Sequence, residues 1–286
     1  MFLTIYIILA VLCFISFSAY KAWKYATMPM HSRLDLYPVP KEAGRAEYGG
    51  SYYEETEWWS KPRKVSHIGE VKDMLMEMLF IKKLFENQRK LWWASYSFHL
   101  GIYFLFAWTI LLVISVAWPA TFIVYLASMV GIAGFILAFA GNVVLLMHRA
   151  LESNLKKYTT PQEYFNLILI LAVLLSGIYA WSSNVAQVSQ TVGQLISFQA
   201  LDVGTALTVH LVLLGLMFFY IPLSKMNHYV GKYFTFHKVL WENDPNLPGS
   251  KVEKDLQEAA SHPPKTKWAA PHISAPHIKE GSDLNA

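Results

Sequence analysis

The sequence predicts an all-α integral membrane protein, a bundle of five transmembrane helices, and three observations predict it. Hydrophobic residues make up 54% of the 286 and charged residues only 15%, where an ordinary soluble domain has about 25% charged residues. Aromatic residues reach 15%, in keeping with the Trp and Tyr belts found at lipid interfaces. Apolar runs at 2–22, 94–117, 121–147, 164–184 and 204–224 each approach the roughly twenty residues that a helix needs to cross a hydrocarbon core. The net charge of +4 is modest, and no basic run is interleaved with aromatics as nucleic-acid binding would require.

The first run has no basic residues before it, and the following AYKAWKYATM offers no small-residue cleavage site. It reads as a retained signal anchor, transmembrane helix one of a 1–24 unit. It holds the single cysteine, Cys13, a buried apolar residue on its type alone. One cysteine excludes an intramolecular disulfide, a self-contained iron–sulfur cluster and a CxxCH haem attachment. Any cluster on an electron path therefore belongs to a partner.

Residues 25–92 form the next unit. Its 30–66 stretch is rich in Pro, Gly, Tyr and Trp, too aromatic for a disordered linker, and reads as an ordered irregular loop. Residues 68–90 read as one amphipathic helix, with Val71, Met74, Leu75, Met78, Leu79, Ile81, Leu84 and Phe85 opposed by Lys and Glu. Such a helix lies in the headgroup region or offers a docking surface to a soluble subunit. Residues 93–235 hold the other four spans, with Trp118-Pro119 as the tight turn between the second and third. Residues 236–286 form a cytoplasmic tail, whose 244–286 part, rich in Pro, His and Lys, is expected to be extended or ordered only on a partner. His262, His272 and His277 in it read as solvated.

Charge asymmetry sets an orientation. Residues 23–92 carry many Lys and Arg, the loop after helix three has Arg149, Lys156 and Lys157, and the tail begins with Lys225 and Lys232; the 118–121 turn and the 185–203 loop have neither Lys nor Arg. The positive-inside rule places the N-terminus outside, and both the 23–92 segment and the C-terminus in the cytoplasm. The expected location is a prokaryotic cytoplasmic membrane.

Ionisable residues within spans are expensive and point to function. His210 and His228 lie 18 residues apart in HLVLLGLMFFYIPLSKMNH, about 27 Å along a continuous helix. A b-type haem between helices needs two strong axial ligands at one depth, and imidazole is the usual choice. His99, in SFHLGIYFLFAW, sits near the cytoplasmic end of helix two and pairs naturally with His228; Gly101 beside it would let a flat macrocycle approach. A hydrogen-bonded core histidine and an interfacial histidine are the alternatives for His99 and His228.

His210 lies deeper toward the outer end and faces no histidine. The facing position on helix two is Thr109, a poor ligand, and Met129 on helix three offers only a thioether. His210 therefore either ligates a second haem with an unusual partner or serves as a hydrogen-bonding residue, for example at a quinol site. His148 is at the depth of the first haem or its propionates, and Arg149 could pair with a propionate; an interfacial pair flanking a span is the alternative.

HLVLLGLMFFYIPLSKMNHY and FHLGIYFLF, in their spacing and five-helix order, resemble the membrane cytochrome b (gamma) subunit of respiratory nitrate reductase and its relatives in heterodisulfide reductase and the sulfite-reductase-linked membrane complex. The resemblance covers roughly residues 90–235. It implies that His99 and His228 ligate the proximal, cytoplasm-side haem and that His210 matches the distal ligand on helix five. Thr109 stands where nitrate reductase has its second helix-two histidine, which leaves one or two haems open. The 25–92 insert looks more like versions that accompany a heterodisulfide-reductase-like iron–sulfur subunit.

The expected function is that of the membrane subunit of a multi-subunit, quinone-linked oxidoreductase. Through haem b it would pass electrons between menaquinone or ubiquinone, reduced or oxidised, and a cytoplasmic iron–sulfur partner of heterodisulfide-reductase-like or ferredoxin-like type. Thr109 and Asp202 are the quinone-site candidates. The alternative is a haem-free membrane anchor that recruits a cytoplasmic redox complex. A transporter would need intramembrane charges or an internal repeat, and the spans offer neither.

Overall fold

The computed structural model describes residues 1–28, 38–183 and 185–261. Among them there are helices and one isolated bridge, Glu42 with Val65, and no strand. The first helix, α1 (Phe2–Ala26), is apolar along almost its whole length. Three single-turn 3₁₀ helices (Ala46–Tyr48, Tyr52–Glu54 and Trp58–Ser60) then build an ordered irregular segment, as the aromatic content of that stretch predicts.

The expected 68–90 helix is divided into α2 (His67–Phe80) and α3 (Lys82–Asn87). Between them Ile81 takes φ 53°, a left-handed conformation that is costly for a β-branched residue. The Glu77 carboxylate accepts from the Lys83 amide at 2.7 Å, capping α3 in place of a continued α2. Ser66 caps the other end of α2, accepting from the Gly69 amide at 3.1 Å.

The helices α4 (Arg89–Ala117) and α5 (Thr121–Leu151) meet at the Trp118-Pro119 turn and form the most extensive helix pair. α5 runs on to Leu151 with His148 and Arg149 in its last turn, where cations complement the helix dipole. Glycine makes the close approach: a Cβ at Gly101 would fall 2.2 Å from the Ala138 nitrogen, and one at Gly141 would fall 2.4 Å from the Phe98 nitrogen. Gly101 therefore faces the backbone of α5 rather than leaving room for a macrocycle. It belongs to a small-residue helix seam of the kind membrane bundles use.

After α6 (Ser153–Tyr158) the chain turns into α7 (Pro161–Ser183). Much of the expected 185–203 loop is a helix, α8 (Val185–Ile196). Val188, Val192 and Leu195 recur at helical spacing, and twelve residues are too few to span.

α9 (Thr205–Tyr220) carries His210 and stops before Pro222. Two 3₁₀ turns, Ile221–Leu223 and Lys225–Asn227, lead to α10 (His228–Thr235). The single helix expected to hold both histidines is therefore broken. Pro222 has no amide to donate, and its ring opposes a continuing helix; Ser224 is extended and accepts from the Met226 amide at 3.1 Å.

α1, α4, α5, α7 and the 205–223 stretch are long and apolar enough to cross a membrane, matching the five predicted spans. A π-turn at Phe236–Leu240 follows, and α11 (Lys251–Ser261) forms within a tail expected to be extended. His262, His272 and His277 lie outside the described residues.

Beyond α10 the chain folds back on the 38–66 segment. Trp241, 2% exposed, packs with Val39, Met74 and Phe236. Buried Glu42 accepts from the Ser51 hydroxyl, the Tyr52 amide and the Asn243 side chain. Such a buried carboxylate is tolerated because its lone pairs are filled. The α1 helix lies against α9 and α10, and the Lys238 ammonium donates to the carbonyls of Ala26 and Met28 at its end.

Candidate functional site

His99 is on α4, ten residues from Arg89, and its Nδ1 donates to the Ser95 carbonyl one turn earlier at 2.7 Å. This bond fixes the tautomer and leaves Nε2 as the free lone pair, as ligating histidines require. His228, the first residue of α10, bonds to the Lys225 backbone. The structure brings the two rings together, with centroids 6.0 Å apart and planes at 75°. With metal–nitrogen bonds of about 2 Å, two imidazoles on opposite sides of one iron have ring centres roughly 6 Å apart. At this separation His99 and His228 could together hold a haem iron. Among the described residues no group of three or more His, Cys, Asp or Glu could hold a metal ion, and a haem needs only two protein ligands.

The supports of this pair come from distant parts of the chain. Asn227, buried next to His228, donates to the Tyr25 hydroxyl of α1 at 3.4 Å. Tyr229 shares a hydrogen bond with Ser18 and stacks on Phe14, also of α1, at 5.8 Å. One turn beyond His228, Lys232 pairs with the buried Glu77 of α2 at 2.7 Å. Spacing along the sequence carries no signal for these contacts, because their partners lie 150 or more residues away. A further residue that sequence reasoning passed over is Asn142, on the face of α5 that carries Ala138. It is 0% exposed, and neither of its side-chain polar atoms has a hydrogen-bond partner.

His210 is placed differently. Its Nδ1 lies 3.1 Å from the Ser176 hydroxyl of α7, and a Cβ at Gly177 would fall 2.9 Å from its Cε1. α7 thus leaves a gap shaped for this imidazole. Thr109 does not face it: the Thr109 hydroxyl donates to its own helix at Leu105, 3.0 Å away, and the residue is on the outside of the bundle. Met129 is 70% exposed and points outward. The interior near His210 is filled by Trp108, Phe135 and Trp181, with ring centroids 5.5 to 5.8 Å apart. Asp202 lies before α9, where its carbonyl accepts from Gln187 at 3.4 Å.

His148 and Arg149 are engaged locally. His148 lies 3.2 Å from Glu152 and Arg149 lies 3.7 Å from Glu163. These contacts tie the end of α5 to the α6–α7 turn, the interfacial arrangement weighed for them, and no contact joins them to the His99–His228 pair.

A family model described as nitrate reductase gamma subunit matches residues 82–239, more than half of the chain. The match takes in α3 through α10 and all of His99, His148, His210 and His228, and leaves out α1, α2 and the 38–66 segment. No curated protein matches the chain. This extent of match, on a fold of five apolar spanning helices, shows that the chain belongs to the nitrate reductase gamma subunit family, the membrane electron-transfer subunits of an oxidoreductase complex.

Proposed function

We propose that this chain is a membrane cytochrome b subunit. Its His99 and His228 hold one b-type haem and connect the quinone pool with a cytoplasmic iron–sulfur partner. The observation that carries the reading is the facing pair of imidazoles, 6.0 Å apart, each with one nitrogen committed to the backbone. The haem, when bound, supplies the one-electron redox change, while the protein sets its ligands, orientation and dielectric.

The residues around the pair have definable tasks. Ser95 orients His99, and the Lys225 backbone orients His228. The α1 contacts through Tyr25 and Ser18 hold the short α10 in place where no continuous helix does. Lys232, one turn from His228, pairs with Glu77 and so ties the short α10 to α2. His210, hydrogen-bonded to Ser176 and walled by Gly177 and Phe135, acts as a hydrogen-bonding residue, and the chain holds a single haem. The Lys and Arg residues of the 38–92 and 225–238 stretches support a cytoplasmic location for this end of the bundle under the positive-inside rule, next to the proposed iron–sulfur partner.

A dithionite-reduced spectrum of the purified chain with pyridine haemochrome quantification tests the proposal. One b-type haem per chain is expected, and none after His228→Ala. Absence of any b-type band from the native complex, with assembly intact, would instead establish the haem-free anchor.

A further inference from the structure

The α2 helix is packed the opposite way round from an amphipathic helix in water. Its acidic stripe faces the protein. Glu77 is buried against Lys232, Glu70 lies 3.6 Å from His237, and Met74 enters the small core with Val39, Phe236 and Trp241. Its apolar stripe faces away. Ile68 is 83% exposed, Val71 58%, Leu75 50% and Leu79 46%. Together with Lys72 and Phe80, three of these four border an open apolar groove of about 540 Å³. In water a helix buries its apolar stripe and solvates its charges, and a contiguous apolar face of this kind marks an interaction surface.

Two observations identify the occupant. First, the end of α2 is fastened to the transmembrane helix α4 along one of its faces. The Phe80 carbonyl accepts from Trp92 Nε1 at 2.7 Å, the Phe80 ring stacks on Tyr96 at 6.1 Å, and the Met78 carbonyl accepts from the Tyr103 hydroxyl at 2.7 Å. Tyr103 is about 20 Å along α4 from its first residue, at 1.5 Å per residue. The end of α2 is thus drawn alongside the spanning part of α4, which itself exposes the apolar side chains of Trp93, Ile102 and Phe106. Second, Lys72 borders the groove. A lysine there can lay its stem on apolar surface and send its ammonium to anionic headgroups.

We propose that α2 is an interfacial membrane helix whose Ile68–Val71–Leu75–Leu79 face is buried among the headgroups and upper acyl chains of one leaflet. Its acidic face is turned toward the protein, where Glu77 pairs with Lys232 and Glu70 lies beside His237. The helix thereby fixes the depth of the His228 segment, because Glu77 links the two.

Photolabelling of the unmodified chain tests this. The chain is reconstituted in vesicles of phosphatidylcholine and phosphatidylglycerol containing a phospholipid with a diazirine near the top of its acyl chain. Lipid adducts on the 68–80 peptide are expected at a yield comparable to that of the 102–113 peptide of α4. Their absence, with α4 labelled, would overturn the proposal.

A second measurement places an environment-sensitive fluorophore at Ile68→Cys or Leu75→Cys in a Cys13→Ser background. Phe106→Cys serves as the bilayer reference and Glu47→Cys as the water reference. Quenching by nitroxide lipids should resemble Phe106. Quenching by aqueous iodide as strong as at Glu47, or shielding from both quenchers by a protein partner or a second copy, would contradict the assignment.

Discussion

The two ends of the bundle each hold a histidine from one stretch of chain, half-buried His210 and more exposed His228, and they treat it in opposite ways. At the α10 end, His228 stands on a short separate helix, and the ring of a second histidine, His99, comes to 6.0 Å from its own. At the other end, His210 is enclosed in the middle of α9, where its neighbours are a serine hydroxyl, a glycine and an aromatic cluster. Depth in the bundle alone therefore does not mark a histidine as a ligand. What distinguishes the two is the neighbour: a second imidazole approaches His228, whereas a serine hydroxyl meets His210.

The largest test of that contrast is removal of the paired histidines. His99→Ala or His228→Ala should each take haem content from one per chain to none, read by pyridine haemochrome on the purified chain; full retention in either would break the comparison. Next in size is Gly141→Val. Its added carbons would meet the Phe98 backbone beside His99, and overpacking of this kind costs about 1–3 kcal/mol. A lower thermal midpoint together with partial haem loss is expected, and an unchanged midpoint would show that the α4–α5 seam can part freely.

His210→Ala should keep the haem and lose about 1 kcal/mol for the missing hydrogen bond. Haem loss in this variant would make the two ends equivalent after all.

A smaller effect concerns the polar segment that braces the His228 end. Burial first, then the neighbouring Tyr52, pushes the Tyr53 phenol up to about 12 from its ordinary 10. Because the folded value lies above the unfolded one, the stabilisation is fully present below pH 10 and fades as pH rises through about 12. The tyrosinate absorbance difference between wild type and Tyr53→Phe should therefore appear near the upper value, and an onset at 10 would contradict the burial. The smallest expected effect is none: Thr109→His should add no second haem, since position 109 faces outward.

Much of this was legible in the sequence, for physical reasons. Twenty-residue apolar runs have few alternatives to spanning helices, so all five emerged. The cost of burying an ionisable group singled out His99, His210 and His228. The break before His228 was also written there, in Pro222, but the apolar run on either side masked it. Other features depend on contacts that no local pattern encodes. Gly101 beside a histidine is the same residue whether it admits a macrocycle or a neighbouring helix. The orientation of Thr109 follows from the rotation of α4 against α5. The α2 stripe was visible, but which of its faces meets the protein was not, because the residues that Glu77 and Glu70 meet there, Lys232 and His237, are more than 150 residues away.

The clasp between α1 and the end of the chain bears on biosynthesis. The α1 helix, made well before α9 and α10, finds its extensive contacts in those two helices. Thr4 reaches the Gln199 carbonyl, Tyr25 meets Asn227, and the carbonyls of Ala26 and Met28 wait for Lys238. Throughout translation of the intervening spans, α1 must remain in the lipid without these partners. It docks only when the 199–238 stretch emerges, and the same docking steadies the segment that carries His228. The approach of His228 to His99 is thereby made a late event, coupled to synthesis of all five apolar helices.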